Sequence, residues 1–367
     1  MKQESGRAGA PRGCRVVTTS MTARLLLAHQ LRSLTEIAWS VVSGDEFDEA
    51  PGDIEVEVVP IRREFSISDL SSFVSLWRLF RHRRFAFVQT HTPKASFLGL
   101  PAARLSGTTA LYTIHGALYF RDNTRRANLL GWLFEKWCCT WAHHVLVQSR
   151  EDERVLPKAH VCPARKIHYV GNGVVLERFT AAAEPPTDDG APVVLMVSRL
   201  VREKGCADFI EVARRLAGQA RFVHVGPREH DQSDALTDDE LARASEVVTF
   251  VGPVDDVRPH LAAADLVVLP SYREGIPRAA MEAAAAARPV VAYDVRGVRE
   301  VIDPDSGLLV RRGDTGALAG VVERLVADPG ARRELGRRCQ ERVVERFSED
   351  EVIARLRTVY SELMAAS

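Results

Sequence analysis

Two carboxylates, Glu274 and Glu282, bracket the segment E-G-I-P-R-A-A-M-E. Glu274 falls in the polar loop Tyr272-Arg273-Glu274-Gly275-Ile276, directly after the apolar run Leu266 to Leu269. That run has the length and β-branched content of a buried parallel strand. Pro270 and Ser271 end it, and Pro277 sits where a first helical residue belongs, because its fixed φ suits that place and its missing N–H costs nothing there. The alanine-rich helix that follows carries Glu282 and runs to about Arg288, where Pro289 stops it; Val290 to Tyr293 reads as the next strand. A loop at the carboxyl end of a strand and the amino end of a helix is where open α/β sheets bind ligands, and the helix end favours anions. Glu274 would hang over that crevice, and Glu282 would point back towards it from the second turn. Taken singly, each has a plain explanation, Glu282 as a helix-surface residue and Glu274 as a partner of the helix dipole. The pair, with Gly275 and Pro277 between them, marks the segment as a site.

The elements around it alternate. In the first half, strands are expected at Arg15 to Thr19, Ile37 to Val42, Ile54 to Pro60, Phe85 to Gln89, Ala110 to Ile114, Val145 to Gln148 and Lys166 to Val170. Helices fall between them. Ser66-Ile67-Ser68-Asp69 supplies one N-terminus, and that helix continues to about Arg83, with Leu70, Phe73, Leu76, Trp77 and Phe80 on one face and Arg78, Arg81, Arg83 and Arg84 towards its end. It reads either as a crossover helix whose cations complement its own dipole or as a basic helix lying on a membrane. Residues 125–143 form a long helix whose aromatics are expected in the core. His91, in T-H-T-P-K-A at 90–95, and His115, in T-I-H-G at 113–116, both follow a strand directly; Gly116 beside His115 implies close approach of the backbone to something.

Residues 181–192, AAAEPPTDDGAP, read as a linker. A second series then begins with the strand Val193 to Val197, the loop S-R-L-V-R-E-K-G at 198–205 and the helix Cys206 to Leu216. The strands Arg221 to Val225 and Val247 to Val251 and the opening segment complete it. Two such runs predict two doubly wound domains, and Asp350 to Met364 forms a separate last helix.

Composition narrows the function. At 367 residues the chain is long enough for two cores. With 49 basic and 49 acidic residues its formal charge is zero, so nothing pulls it towards nucleic acid. Six cysteines lack CxxC or zinc spacing, as expected of reduced thiols. Residues 1–14 lack the apolar core of a signal peptide and are expected to be disordered. No apolar run reaches the ~18 residues of a membrane span, so a cytoplasmic protein, or one peripheral to the inner face of a membrane, is expected.

With these pieces in place, the chain resembles a retaining glycosyltransferase of family 4 over essentially its whole length from Arg15. The E-x7-E signature at 274–282 carries the likeness, together with S-R-L-V-R-E-K-G, G-N-G-V at 171–174 and T-I-H-G. R-R-E-F-S-I-S-D-L at 62–70 and T-H-T-P-K-A look like the capsular-polysaccharide and O-antigen branch. The resemblance implies a GT-B fold, two Rossmann-like domains facing across a cleft. An N-terminal acceptor-side domain would span 15–178 and a nucleotide-sugar-binding domain 179–349, with the C-terminal helix 350–367 crossing back to the first. It implies sugar transfer from a nucleotide-sugar, a UDP-sugar foremost, to a polyprenyl-linked saccharide or a small-molecule natural-product acceptor, with peripheral membrane contact through the N-terminal domain. Arg199 and Lys204 would hold the diphosphate, whose negative charge grows as the glycosidic bond breaks. Gly275, Ile276 and Pro277 would meet sugar hydroxyls and phosphate, Pro277 without an N–H to donate. Glu274 would bind the donor sugar and Glu282 the ribose; His115 would face the donor sugar, and Lys94 and Arg63 would lie on the acceptor side. No cofactor and no metal are implied: there is no DxD motif, and the Asp pairs at 188–189, 238–239 and 255–256 read as linker, loop and cap residues. The paired glycines that many members carry after the first strand are replaced by Thr19-Ser20-Met21-Thr22, and Ala287 stands where many have Gly, a change expected to tighten helix packing.

A nucleotide-sugar epimerase that hydrolyses its substrate would share the fold, and a non-catalytic sugar-nucleotide-binding protein would share the site. An NAD oxidoreductase is disfavoured because neither first loop carries G-x-G-x-x-G.

Overall fold

The computed structural model describes residues 10–47, 54–62, 66–119, 125–180, 190–229 and 234–365. Arg63, residues 1–9 of the expected disordered terminus and residues 181–189 of the expected linker lie outside them. The chain forms two compact units, residues 1–171 with 353–367, and residues 172–352.

The first unit is a seven-stranded, wholly parallel sheet. Its strands are β1 (Arg12–Val16), β2 (Ala38–Ser43), β3 (Glu55–Val58), β4 (Phe87–Thr90), β5 (Thr109–Ile114), β6 (His144–Val147) and β7 (Ile167–Tyr169), in the order β3-β2-β1-β4-β5-β6-β7. The helices Ser68–Arg83, Pro93–Leu105 and Arg125–Trp141 link successive strands from β3 to β6. Right-handed crossovers between parallel strands set them on one face of the sheet. The chain re-enters this unit through its last helix, Glu349–Ala365. Tyr360 seats that helix: its ring stacks on Phe87 at 4.8 Å and meets Trp39 edge-on at 5.7 Å. Its hydroxyl donates to Gln89 Oε1 at 2.5 Å and accepts from the buried Arg15 at 3.2 Å. A buried tyrosine of this kind combines a large apolar contact with a satisfied hydroxyl.

β1 begins at Arg12, inside the stretch expected to be disordered, and Cys14 is fully buried in it. Gly13 is the reason a weak-looking strand can be central, because a Cβ there would press on the side chains of Trp39, Ile37 and Phe87. In the Ser68–Arg83 helix, Ser72, Leu76 and Phe80 are buried, whereas Leu70 is exposed. Of the four aromatics on the Arg125–Trp141 helix, Trp132, Phe134 and Trp141 pack half-buried against the core, whereas Trp137 is exposed.

The second unit is a six-stranded parallel sheet of β8 (Val193–Val197), β9 (Arg221–Val225), β10 (Val248–Gly252), β11 (Leu266–Leu269), β12 (Val290–Tyr293) and β13 (Leu308–Val310). Their order is β10-β9-β8-β11-β12-β13, so the chain reverses direction across the sheet between β8 and β11. β11 and β12 are buried along their whole length, as their unbroken apolar runs require. The alanine-rich helix is shorter than expected, Arg278–Ala285, and Pro277 is its N-cap with extended backbone (φ −72°, ψ 111°) rather than its first helical residue. Ala287 does not tighten the helix; it lies past the helix end at φ 54°, a left-handed conformation that explains a glycine preference there. Among the described residues, no helix is long and apolar enough to cross a membrane.

Candidate functional site

In the second unit, the loops after β8 and β11 meet at the reversal point of the sheet. Gly205 permits the meeting: its φ is 75°, and a Cβ would overlap the carbonyl oxygen of Pro270 at the end of β11. Three consecutive residues of the β11 loop then engage the β8 loop. The Tyr272 N–H donates to the Glu203 carbonyl at 2.9 Å, Arg273 pairs with Glu203 at 2.5 Å, and Glu274 Oε1 accepts from Lys204 Nζ at 2.7 Å. The Tyr272 hydroxyl donates to Asp208 at 2.7 Å, and burial together with that carboxylate pushes its pKa up to about 12. Lys204 and Glu274, expected to serve diphosphate and sugar, are thus brought together.

The other side of the β11 loop rests on two residues that sequence reasoning did not single out as functional. Gly297 (φ 78°) packs against the backbone of Glu274 and Gly275 so closely that a Cβ would overlap the Gly275 carbonyl. Asn172, from G-N-G-V, donates through Nδ2 to the Ile276 carbonyl at 3.4 Å while its Oδ1 accepts from the Gly173 N–H at 3.0 Å. The signal for Gly297 was a glycine opening a helix directly after a strand, in V-R-G-V-R-E. Ile276 is buried, and the helix Arg278–Ala285 starts at Pro277 with no side-chain cap, leaving its N-terminus suited to an anion.

Glu282 lies one turn further in, its carboxylate 3.3 Å from Arg278. Burial raises its pKa above the usual carboxylate value, opposed by Arg278 and then Arg178. Arg199 pairs with Glu229 at 3.2 Å and stays partly exposed, a partner that no motif announced. Behind the β8 loop, Ser198 Oγ lies 3.2 Å from Nε2 of the buried His224, whose pKa burial lowers to about 4.

In the first unit, His91 Nδ1 and His115 Nε2 are 3.2 Å apart at the ends of β4 and β5. Burial, reinforced by the Arg15 charge, pushes His91 well below the usual imidazole value. Burial brings His115 to about 4, against a hydrogen bond with Gln148 that favours the charged form, while Arg15 lowers it further. Both rings are therefore neutral at pH 7, and one donates to the other. The loop carrying His91 is tied to the end of β1 through Thr92 Oγ1, which lies 2.5 Å from Thr18 Oγ1 and accepts from the Thr18 N–H at 3.0 Å. Lys94 is buried and its ammonium lies 2.5 Å from Asp69. This contact joins the S-I-S-D-L and T-H-T-P-K motifs and turns Lys94 inward rather than towards open solvent. Among the described residues, no group of three or more His, Cys, Asp or Glu side chains is arranged to hold a metal ion.

The model for "Glycosyltransferase Family 4" matches residues 23–178, and that for "Glycosyl transferases group 1" matches residues 191–328. The capsular polysaccharide biosynthesis glycosyltransferase CapM of Staphylococcus aureus is 24% identical over 344 residues, covering 89% of this chain and 90% of its own. The UDP-Gal:alpha-D-GlcNAc-diphosphoundecaprenol alpha-1,3-galactosyltransferase of Escherichia coli is 25% identical over 316 residues, covering 81% of each chain. Among solved structures, a sucrose-phosphate synthase from Thermosynechococcus elongatus superposes with a TM-score of 0.80 at 21% identity, covering 97% of this chain and 100% of that one. Anabaena HepE, in complex with UDP and glucose, gives 0.79 at 19% identity, covering 95% and 99%. These structural likenesses establish the fold as GT-B. With glycosyltransferase models matching residues 23–178 and 191–328, together most of the chain, the chain belongs to glycosyltransferase family 4.

Proposed function

We propose that the protein is a retaining glycosyltransferase that moves a sugar from a UDP-sugar to a polyprenyl-diphosphate-linked saccharide without a metal ion. The observation that carries this reading is the convergence of Lys204 and Glu274 at the reversal point of the second sheet, beside an uncapped helix N-terminus. A departing nucleoside diphosphate needs positive charge and N–H donors where its charge develops. Lys204, Arg199 and the start of the Arg278–Ala285 helix supply them. Glu274 accepts hydrogen bonds from donor-sugar hydroxyls, and Glu282 from the ribose. The donor choice draws support from the UDP and UDP-glucose held by HepE, and the acceptor from the diphosphoundecaprenol in the name of the E. coli relative.

Retention follows from attack on the face that the leaving group vacates, with a phosphate oxygen of the leaving group taking the acceptor proton. The glycosidic carbon–oxygen bond to phosphate breaks, the bond to the acceptor oxygen forms, and no side chain need become covalently attached. His115, neutral at pH 7, serves transfer as a hydrogen-bonding group rather than as a cation. The test is product analysis: a UDP-sugar and a polyprenyl-diphosphate-linked acceptor, with EDTA present, should yield a glycoside with the donor's anomeric configuration. An inverted product, or transfer abolished by EDTA, would overturn the retaining or the metal-free part respectively.

A further inference from the structure

Tyr272 and Tyr293 share one acceptor atom. The Tyr272 hydroxyl donates to Asp208 Oδ2 at 2.7 Å, and the Tyr293 hydroxyl donates to the same oxygen at 2.9 Å. Their rings meet edge to face with centroids 5.7 Å apart. Asp208 lies in the first turn of the helix Cys206–Arg215, directly after the β8 loop that carries Lys204. Tyr293 is the last residue of β12, and its hydroxyl also lies 3.3 Å from Thr315 Oγ1, at the start of the helix Thr315–Ala327. One carboxylate thus ties together the segments that follow β8, β11, β12 and β13.

The two tyrosines are held differently. Tyr293 is fully buried in its strand and gives the carboxylate a fixed point to turn towards. Tyr272 is 38% exposed and sits in a loop, so packing alone does not fix its ring. Its hydroxyl bond to a carboxylate is of the strong, charge-assisted kind. Its N–H donates to the Glu203 carbonyl at 2.9 Å, so Tyr272 is pinned at both backbone and side chain to the segment that bears Lys204. Glu274 is only two residues further on, about 7 Å along an extended chain.

We infer that Asp208 is a positioning residue for sugar transfer: it holds Tyr272, and through Tyr272 it sets Glu274 against Lys204 where the donor sugar is received. The inference rests on the proposed function, in which Glu274 accepts from donor-sugar hydroxyls. Asp208 acts through the loop and not by touching the donor. A misplacement near 1 Å at a reacting centre lowers a rate by roughly 100-fold, and the loss of one tie among several should cost part of that.

Hydrogen–deuterium exchange and steady-state transfer on the same variants test it. In Asp208→Ala and in Tyr272→Phe, the amides of residues 271–276, read by mass spectrometry, should exchange about ten-fold faster than in the wild type, and kcat/KM should fall by about ten-fold. Asp208→Asn, whose side-chain oxygen still accepts from both hydroxyls, should restore both. Combining Asp208→Ala with Tyr272→Phe should cost no more than either alone, and neither should lower the rate further in a Glu274→Gln background. Unchanged loop exchange in both variants, or a loss that persists in full in the Glu274→Gln background, would overturn the inference. Exchange needs no donor. Unchanged exchange beside intact wild-type transfer therefore defeats the inference alone, whereas faster exchange in variants of a chain that transfers no sugar defeats the transferase reading and leaves the hold of Asp208 on the loop standing.

Discussion

Lys204 Nζ lies 2.7 Å from Glu274 Oε1, both side chains mostly buried, so two residues from different motifs neutralise each other when no donor is present. On the proposed function, a donor parts them, with phosphate taking the ammonium and sugar hydroxyls taking the carboxylate. Nucleoside diphosphate alone supplies only the first replacement and leaves Glu274 without a partner. Glu274→Gln should therefore lower kcat/KM for transfer by about 100-fold, while UDP binds at least as tightly as to the wild type. Titration calorimetry with UDP reads the second effect; a large loss of UDP affinity would show that Glu274 does not compete for Lys204.

Gly297 supports the same loop from behind, where a Cβ would overlap the Gly275 carbonyl. Gly297→Ala should displace Glu274 and Gly275 and lower kcat/KM by about 100-fold, the size expected for a misplacement near 1 Å. Circular dichroism should stay that of a folded protein, because the strain is confined to a loop and the short helix Val298–Val301. Full activity in this variant would mean that the loop tolerates movement and that Glu274 is not held for a purpose.

The pH dependence of stability follows from the buried imidazoles. His224 and His115 have folded pKa values near 4, below the unfolded value of about 6.5. Between these values the unfolded chain binds more protons than the folded one, so stability rises with pH across that window. Their contribution is complete above about pH 6.5 and is lost as pH falls towards 4; for the buried His224 it is on the order of 3 kcal/mol. Urea unfolding at pH 7 and pH 5 should show the loss, and His224→Gln should reduce the difference between the two.

Much of this architecture can be read from the residues. Unbroken apolar runs such as Leu266–Leu269 and Val290–Tyr293 announce buried parallel strands, and the loop carrying Glu274 falls where strand and helix signals place it. What stayed hidden depends on tertiary approach. Gly13 and Cys14 look like part of a polar tail until Trp39 and Phe87 close over that strand. Glu229 becomes the partner of Arg199 only through folding, since nothing local distinguishes it from other surface carboxylates, and Asp69, legible as part of a helix start, meets Lys94 only in the folded chain.

Ala287 shows the same limit at one backbone position. Its φ of 54° costs an alanine roughly 1–2 kcal/mol, which a glycine does not incur. Ala287→Gly should raise stability by about 1 kcal/mol after the larger unfolded-state entropy of glycine is counted. A chemical denaturation curve checks this, and a destabilised variant would mean that the left-handed turn is not strained.

On the proposed function, the paired loops after β8 and β11 hold a nucleoside diphosphate sugar through Arg199 and Lys204. Thermal unfolding in the presence of UDP-, GDP- and dTDP-sugars tests it most directly, because a ligand that binds the folded state raises the melting temperature by mass action. A UDP-sugar should give a saturable rise that Arg199→Ala/Lys204→Ala eliminates. An equal rise in the double variant would contradict it.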